Sequence, residues 1–194
     1  PELNYLSTDK DEEGNNVPRG EICLRGPIVF KGYFNDPENT SKALDKDGWL
    51  HSGDVGCILP NGSLKILDRV KNIFKLSHGE YVAPEKLENV LLLDKYVAQI
   101  MVHGDSLENY VVAIVVPKKP AVVDWFVAQG KTEVNQDNVH EFYNDEGLKK
   151  EILTSMEKLG RSKDFKGFEV IKKVFLTNDQ FTLENGLLTP TMKV

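Results

Sequence analysis

A change of pattern at Asp68 constrains this chain more than any other feature. Before it, short β-type runs are broken by glycine and proline; after it, helical spacing and strand-like runs are mixed. From Gly20, the run Glu21-Ile22-Cys23-Leu24-Arg25 is followed by Ile28-Val29-Phe30, with Gly26-Pro27 between them. Asp36-Pro37-Glu38 reads as a helix start: an N-cap acceptor, proline at the first helical position and an acid in the first turn, with the helix running to about Leu44. Asp47-Gly48 turns the chain into Trp49-Leu50-His51, and Pro60-Asn61-Gly62 joins Val55–Leu59 to Ser63–Leu67 as a hairpin. Residues 1–67 are therefore read as a β-rich unit.

Asp68-Arg69-Val70-Lys71-Asn72 is a short polar connector, and a domain boundary is placed there. Beyond it, Pro84-Glu85 opens a helix whose Leu87, Val90 and Leu91 share one face. Val97–Val102 and Tyr110–Val116 read as buried strands paired around the 104–109 turn. Ala121–Ala128 and Leu148–Leu159 carry helical spacing, the second through Leu148, Ile152, Leu153, Met156 and Leu159. Val170–Leu176 returns as a strand, and Glu184-Asn185-Gly186 is a turn. Strands and helices without strict alternation predict an α+β fold.

Composition narrows the functional classes. A chain of 194 residues allows one domain or two small ones. With 40% hydrophobic and 28% charged residues, collagen-like and wholly disordered readings fall away. Lys plus Arg is 24 against 30 acids, a net charge of −6, which argues against a general nucleic-acid binder. The longest apolar run, Tyr110–Val116, is far short of the ~20 residues of a membrane helix. Cys23 and Cys57 sit singly, without metal-ligand spacing, and read as buried spectator thiols of a reducing compartment. The sequons at Asn39 and Asn61 follow no secretory signal and read as chance. The chain begins at Pro1 rather than Met and is expected to be a piece of a longer protein.

Three segments carry candidate chemistry. In Gly48–Gly56, glycines let the backbone approach a ligand, and Asp54, expected at the mouth of a strand, suits the paired hydroxyls of a ribose; the plain alternative is an Asp that caps a turn. In Ile66–Glu88, Arg69, Lys71 and Lys75 alternate with apolar residues and face an anion or, taken alone, form a solvated strand edge. In Asn185–Lys193, Lys193 on a loop shaped by Gly186 and Pro190 suits a phosphate or a developing oxyanion, although a terminal lysine is usually there for solubility.

In order and spacing, these segments resemble the adenylate-forming acyl- and aryl-CoA synthetases, the superfamily that includes luciferases and nonribosomal adenylation domains. Gly20-Glu21-Ile22, Lys31-Gly32-Tyr33 and Gly48-Trp49 through Ser52-Gly53-Asp54 are similar to the family's G-E-I/L…G-Y…G-W…T-G-D series, with Ser52 in place of the usual threonine. Lys71–Glu85 and Leu188–Lys193 are most similar to the eukaryotic long-chain fatty acyl-CoA synthetases.

The resemblance implies the β-rich end of a large N-terminal domain over 1–67, a hinge linker over 68–73 and a small mobile α+β lid over 74–194. It implies that Asp54 holds the AMP ribose hydroxyls and Arg69 reaches the same nucleotide. Asp68 and Lys71 fall at the hinge, Gly79 falls in the loop lining the pantetheine route, and Lys193 matches the adenylation lysine. The implied reaction joins a fatty acid to CoA through an acyl-AMP at the expense of ATP with Mg²⁺. The phosphate loop, the Mg²⁺-holding acid and the acyl tunnel are expected upstream of Pro1. No metal ligand is assigned here, and the chain alone is expected to be inactive. The implied location is cytoplasmic or at the cytosolic face of a membrane, with any peripheral membrane association made through regions outside this chain. The alternatives are an aryl- or other acyl-CoA ligase of the same superfamily, or a non-catalytic binding module built from the lid. Lys118-Lys119 and Lys172-Lys173 are candidates for CoA phosphates or solvated-face lysines.

Overall fold

A computed structural model describes residues 6–11 and 13–189. The chain divides into two compact units, Pro1–Ile73 and Phe74–Val194.

The first unit is a three-stranded antiparallel sheet in the order β1 (Arg19–Leu24), β2 (Leu50–Ile58), β3 (Leu64–Arg69). Between β1 and β2 lies helix α1 (Pro37–Ala43), whose start is the expected one: the Asp36 carboxylate accepts from Asn39 N at 3.0 Å, and Pro37 occupies the first turn. The β2–β3 hairpin closes through Leu59 N to Ser63 O at 2.8 Å. Val55 and Cys57, buried on central β2, form this unit's core. Asp68 and Arg69, read from sequence as the start of a connector, are strand residues, because their backbones pair with Val55 and Asp54. The polar composition there reflects an open strand end rather than a break in the ladder.

The second unit begins with a small hairpin, β4 (Phe74–Lys75) and β5 (Tyr81–Val82), then α2 (Pro84–Leu91). Its sheet has the order β6 (Val97–His103), β7 (Val111–Pro117), β8 (Ile171–Leu176), with β6 antiparallel and β8 parallel to β7. A parallel neighbour requires a long crossover. Here it contains α3 (Lys119–Ala128), a 3₁₀ turn at Val139–Phe142 and α4 (Glu146–Arg161). Helix α4 is nucleated by Asp145, whose carboxylate accepts from Leu148 N at 3.0 Å. Its periodic Leu148, Ile152 and Met156 are at most 1% exposed and join Leu87 and Leu91 of α2 in the core with Ile100 and Val115 of the sheet. Each such side chain contributes roughly 1.5 to 3 kcal/mol by leaving water, and truncating Ile152 to Ala costs about 2 to 5 kcal/mol.

Among the described residues of this unit two acids are buried, and both are satisfied. Asp94 accepts from Ser155 Oγ at 2.6 Å and Tyr96 N at 2.8 Å. Glu169 accepts from Lys86 Nζ at 2.7 Å and Lys166 N at 2.8 Å.

Candidate active site

The Ser52-Gly53-Asp54 segment is built into β2 itself, so Asp54 stands within the strand rather than at its mouth. Local hydrogen bonds fix its course. Ser52 Oγ accepts from Asp54 N at 3.1 Å, and Gly53 N donates to the Glu21 carboxylate of the neighbouring strand at 3.1 Å. Gly53 O accepts from Val70 N at 2.8 Å. Gly53 has φ +72°, a conformation a side chain would strain, and the register of β2 against β3 shifts between Val55 and Gly56. The strand is thereby re-aimed where Asp54 and Arg69 meet, with Arg69 Nε 2.9 Å from Asp54 Oδ1.

A cavity of about 490 Å³ opens beside this segment, lined in part by Glu21, His51, Ser52, Gly53, Arg69 and Lys71. Its lining brings the cations Lys42, Arg69 and Lys71 together with the carboxylates of Glu21 and Asp36. Arg69 and Lys71 thus share one concavity, as their alternation predicts. Lys75 belongs to the second unit, where its ammonium lies 5.4 Å from the Tyr81 ring centre. Lys71 occupies the turn after β3, in which Asn72 N donates to Arg69 O at 3.0 Å. The side chain of Asp68 and all of Lys193 lie outside the described residues.

Gly79 forms the β4–β5 turn with φ +92°, its N–H donating to Leu76 O at 2.9 Å. An L side chain is disfavoured there, which keeps the turn narrow. Of the paired lysines, Lys118 donates to Asp94 O at 2.8 Å and Lys173 to Tyr110 Oη at 3.1 Å. Both are engaged within the second unit.

Glu21 and His51 were not singled out by sequence reasoning. His51 Nδ1 lies 3.1 Å from Glu21 Oε2, and its Nε2 3.5 Å from Asp45 Oδ2. The hydrogen bond to Glu21, reinforced by Asp45, raises the imidazole pKa above its ordinary value. Burial, then the charges of Glu21 and Asp45, push the Cys23 thiol up. Glu21 and Cys23 are two apart on β1, but the β1–β2 register shifts between them, and it is this register, which makes Cys23 the partner of His51, that brings the three together.

No family model matches the chain. It is 50% identical over 194 residues to the peroxisomal long chain acyl-CoA synthetase 7 of Arabidopsis thaliana, covering 100% of this chain and 27% of that protein. It is 46% identical over 192 residues to long-chain-fatty-acid–CoA ligase 1 of Homo sapiens, covering 99% of this chain and 26% of the relative. Among solved structures, the A domain of a carboxylic acid reductase from Segniliparus rugosus, in complex with AMP and a co-purified carboxylic acid, matches with TM-score 0.82 and 33% identity, over 100% of this chain and 27% of that one.

Over its whole length the chain is similar to enzymes of the adenylate-forming superfamily. Within that superfamily its sequence groups with the long-chain acyl-CoA synthetases. The chain spans about a quarter of the length of the long-chain synthetases it matches. An O-succinylbenzoate coenzyme A synthetase from Bacillus subtilis, 23% identical with TM-score 0.59 over 91% of this chain and 31% of that one, shares the adenylate-forming fold. Among the described residues, no helix is long and apolar enough to cross a membrane.

Proposed function

We propose that the chain is the C-terminal part of an ATP-dependent, AMP-forming long-chain fatty acid:CoA ligase, comprising the ribose-binding end of the large domain and the mobile lid. The observation that carries this is the pairing of Asp54 with Arg69, the second of which lines the cavity beside Ser52 and Gly53, in a chain about half identical to long-chain synthetases. The names of those relatives favour a fatty acid over an aryl acid and a ligase over a non-catalytic module.

In this reading the fatty carboxylate attacks the α-phosphorus of ATP, pyrophosphate leaves, and the acyl-AMP then yields its acyl group to the CoA thiol with release of AMP. Asp54 accepts hydrogen bonds from the ribose hydroxyls, its carboxylate paired with Arg69 and its backbone N–H donating to Ser52 Oγ. Arg69 supplies a fixed cation beside the nucleotide. Lys193 offsets the repulsion between the fatty carboxylate and the phosphate as negative charge gathers on the oxygens. Asp68, held in β3, anchors the hinge, and Lys71, in the turn after it, takes the change of backbone dihedrals that exchanges one wall of the site between the half-reactions. Gly79 keeps a turn slim where the pantetheine arm passes. The one close group of three potential metal ligands among the described residues includes a thiol and an imidazole, unlike the hard oxygen ligands that Mg²⁺ takes. No step is assigned to Mg²⁺ on this chain.

The test is an assay of the full-length protein with ATP, CoA and a panel of fatty, aryl and amino acids. AMP and a fatty acyl thioester should form together, while ATP–pyrophosphate exchange by the 194-residue chain stays at background. Turnover confined to aryl or amino acids, or robust exchange by the chain alone, overturns the reading.

A further inference from the structure

Three ligand types converge on one face of the first unit's sheet. The Glu21 carboxylate and the Cys23 thiol come from β1, and the His51 imidazole comes from β2. One donor atom from each lies within 4.8 Å of the other two. Cys23 Sγ is 3.6 Å from His51 Nδ1, and Glu21 Oε2 is 3.1 Å from the same nitrogen. A tetrahedral centre with metal–sulfur about 2.3 Å and metal–nitrogen about 2.05 Å holds those two ligands about 3.6 Å apart, and a carboxylate oxygen about 3.3 Å from the nitrogen. Those two distances match edges of a tetrahedral coordination sphere, and the third, from Cys23 Sγ to the Glu21 carboxylate, is within 4.8 Å.

Two further contacts orient the ligands. Gly53 N donates to Glu21 Oε1 at 3.1 Å, turning the other carboxylate oxygen toward His51. On the far side of the ring, Asp45 Oδ2 is 3.5 Å from His51 Nε2. A carboxylate behind the second ring nitrogen is the usual outer partner of a metal-bound histidine, selecting the tautomer that leaves Nδ1 unprotonated. Asp45 is itself held by Asp47 N and Trp49 N, each at 2.9 Å. Glu21 and His51 also line the cavity that Arg69 and Lys71 share, so a fourth position faces a concavity rather than packed protein.

We propose that Glu21, Cys23 and His51 form a three-ligand site for a thiophilic divalent cation of the zinc type, with Asp45 as the positioning residue for His51 and the fourth position open to the cavity. The thiol and imidazole donors select this class over Mg²⁺ or Ca²⁺. On binding, the Cys23 thiol gives up its proton to buffer and the sulfur lone pair forms the metal bond. The imidazole binds through Nδ1 while its proton resides on Nε2 toward Asp45. The site is independent of the ligase reading and does not require nucleotide.

Cobalt(II) is the probe, titrated into the reduced 194-residue chain and displaced with zinc. One equivalent should produce a near-ultraviolet thiolate-to-metal charge-transfer band with tetrahedral visible bands, and zinc should bleach both. Cys23→Ser should lose the band, Cys57→Ala should keep it, and His51→Gln should weaken binding at least tenfold. Asp45→Asn should weaken it about 10- to 100-fold if it orients the ring. Circular dichroism on each variant separates lost ligation from lost folding, and Glu21→Gln serves as the second ligand variant should Cys23→Ser unfold. A wild-type chain without the band, a band that survives Cys23→Ser in a folded protein, or binding indifferent to both His51→Gln and Glu21→Gln overturns the site.

Discussion

Asp54 and Arg69 are direct partners across the β2–β3 ladder, and their side chains repeat that pairing at 2.9 Å. The pair is open to solvent, with 34% of Asp54 and 59% of Arg69 side-chain surface exposed, so its effect on folding is small. Asp54→Ala should lower the stability of the chain by less than about 1 kcal/mol in urea unfolding. In the full-length protein the same change removes acceptor bonds worth roughly 1.5 to 3 kcal/mol each, and ATP affinity should fall at least about tenfold. Unchanged ATP binding by calorimetry would leave Asp54 as a partner of Arg69 and nothing more.

The two lysines at either end of the proposed lid should fail differently. Lys193→Ala in the full-length protein should abolish acyl-AMP formation and spare thioester formation from supplied acyl-adenylate. Lys71→Pro should do the reverse, because proline fixes φ near −65° and restricts Val70 in the turn after β3. Single-turnover measurement of each half-reaction decides it. Equal damage to both halves by both substitutions would withdraw support from an alternating lid.

At Asp145 the pH dependence has a definite sign. Its pKa is lowered, first by the hydrogen bond from Leu148 N and next by Lys131 Nζ at 3.0 Å. A lowered carboxylate stabilises the fold fully above its unfolded value of about 3.9, and the contribution is lost as pH falls through the lower folded value. Asp145→Asn keeps an N-cap acceptor but not the charge. Its melting curve should therefore lie below that of the unsubstituted chain at neutral pH and converge with it below about pH 4. Asp145→Ala, which also loses the cap, should cost about 0.5 to 2 kcal/mol at neutral pH. A gap between the unsubstituted chain and Asp145→Asn that persists unchanged into acid would contradict the assignment.

What could be read in advance was whatever is encoded locally. Asp36-Pro37 announced α1, Asn61-Gly62 announced the β2–β3 turn, and the spacing of Leu148, Ile152 and Met156 announced α4. The β4–β5 hairpin was not legible because two-residue strands are too short to show a period. Helix α3 begins at Lys119, two residues before its apolar spacing starts, with Pro120 in its first turn. The Asp54–Arg69 pair was visible as two separate motif residues, but their contact depends on strand register. The same holds more strongly for Cys23 and His51, which a reading based on ligand spacing along the chain passes over.

Gly160 sets helix propensity against packing. Gly→Ala is favourable by about 1 kcal/mol in a helix interior and by less in the last turn, where Gly160 lies. A Cβ at Gly160 would lie 2.5 Å from Cδ2 of the buried Phe165 ring, and overpacking of this kind costs about 1 to 3 kcal/mol. Gly160→Ala should therefore lower the urea midpoint of the chain. Combining it with Phe165→Leu should cost less than the two changes separately. A raised midpoint in Gly160→Ala would mean that the ring yields freely.

The parallel strand β8 also orders events at the ribosome. Central β7 finds β6 at once, as its immediate predecessor in the chain, but its other edge waits for a strand made only after α3 and α4. Until Leu176 leaves the exit tunnel, the nascent chain presents Val111–Pro117, a run of nearly continuous apolar residues, with one row of backbone groups unpaired. Such an edge invites strand addition by other nascent chains. It makes the interval between synthesis of β7 and synthesis of β8, rather than that of the early hairpins, the one in which this protein most needs a chaperone.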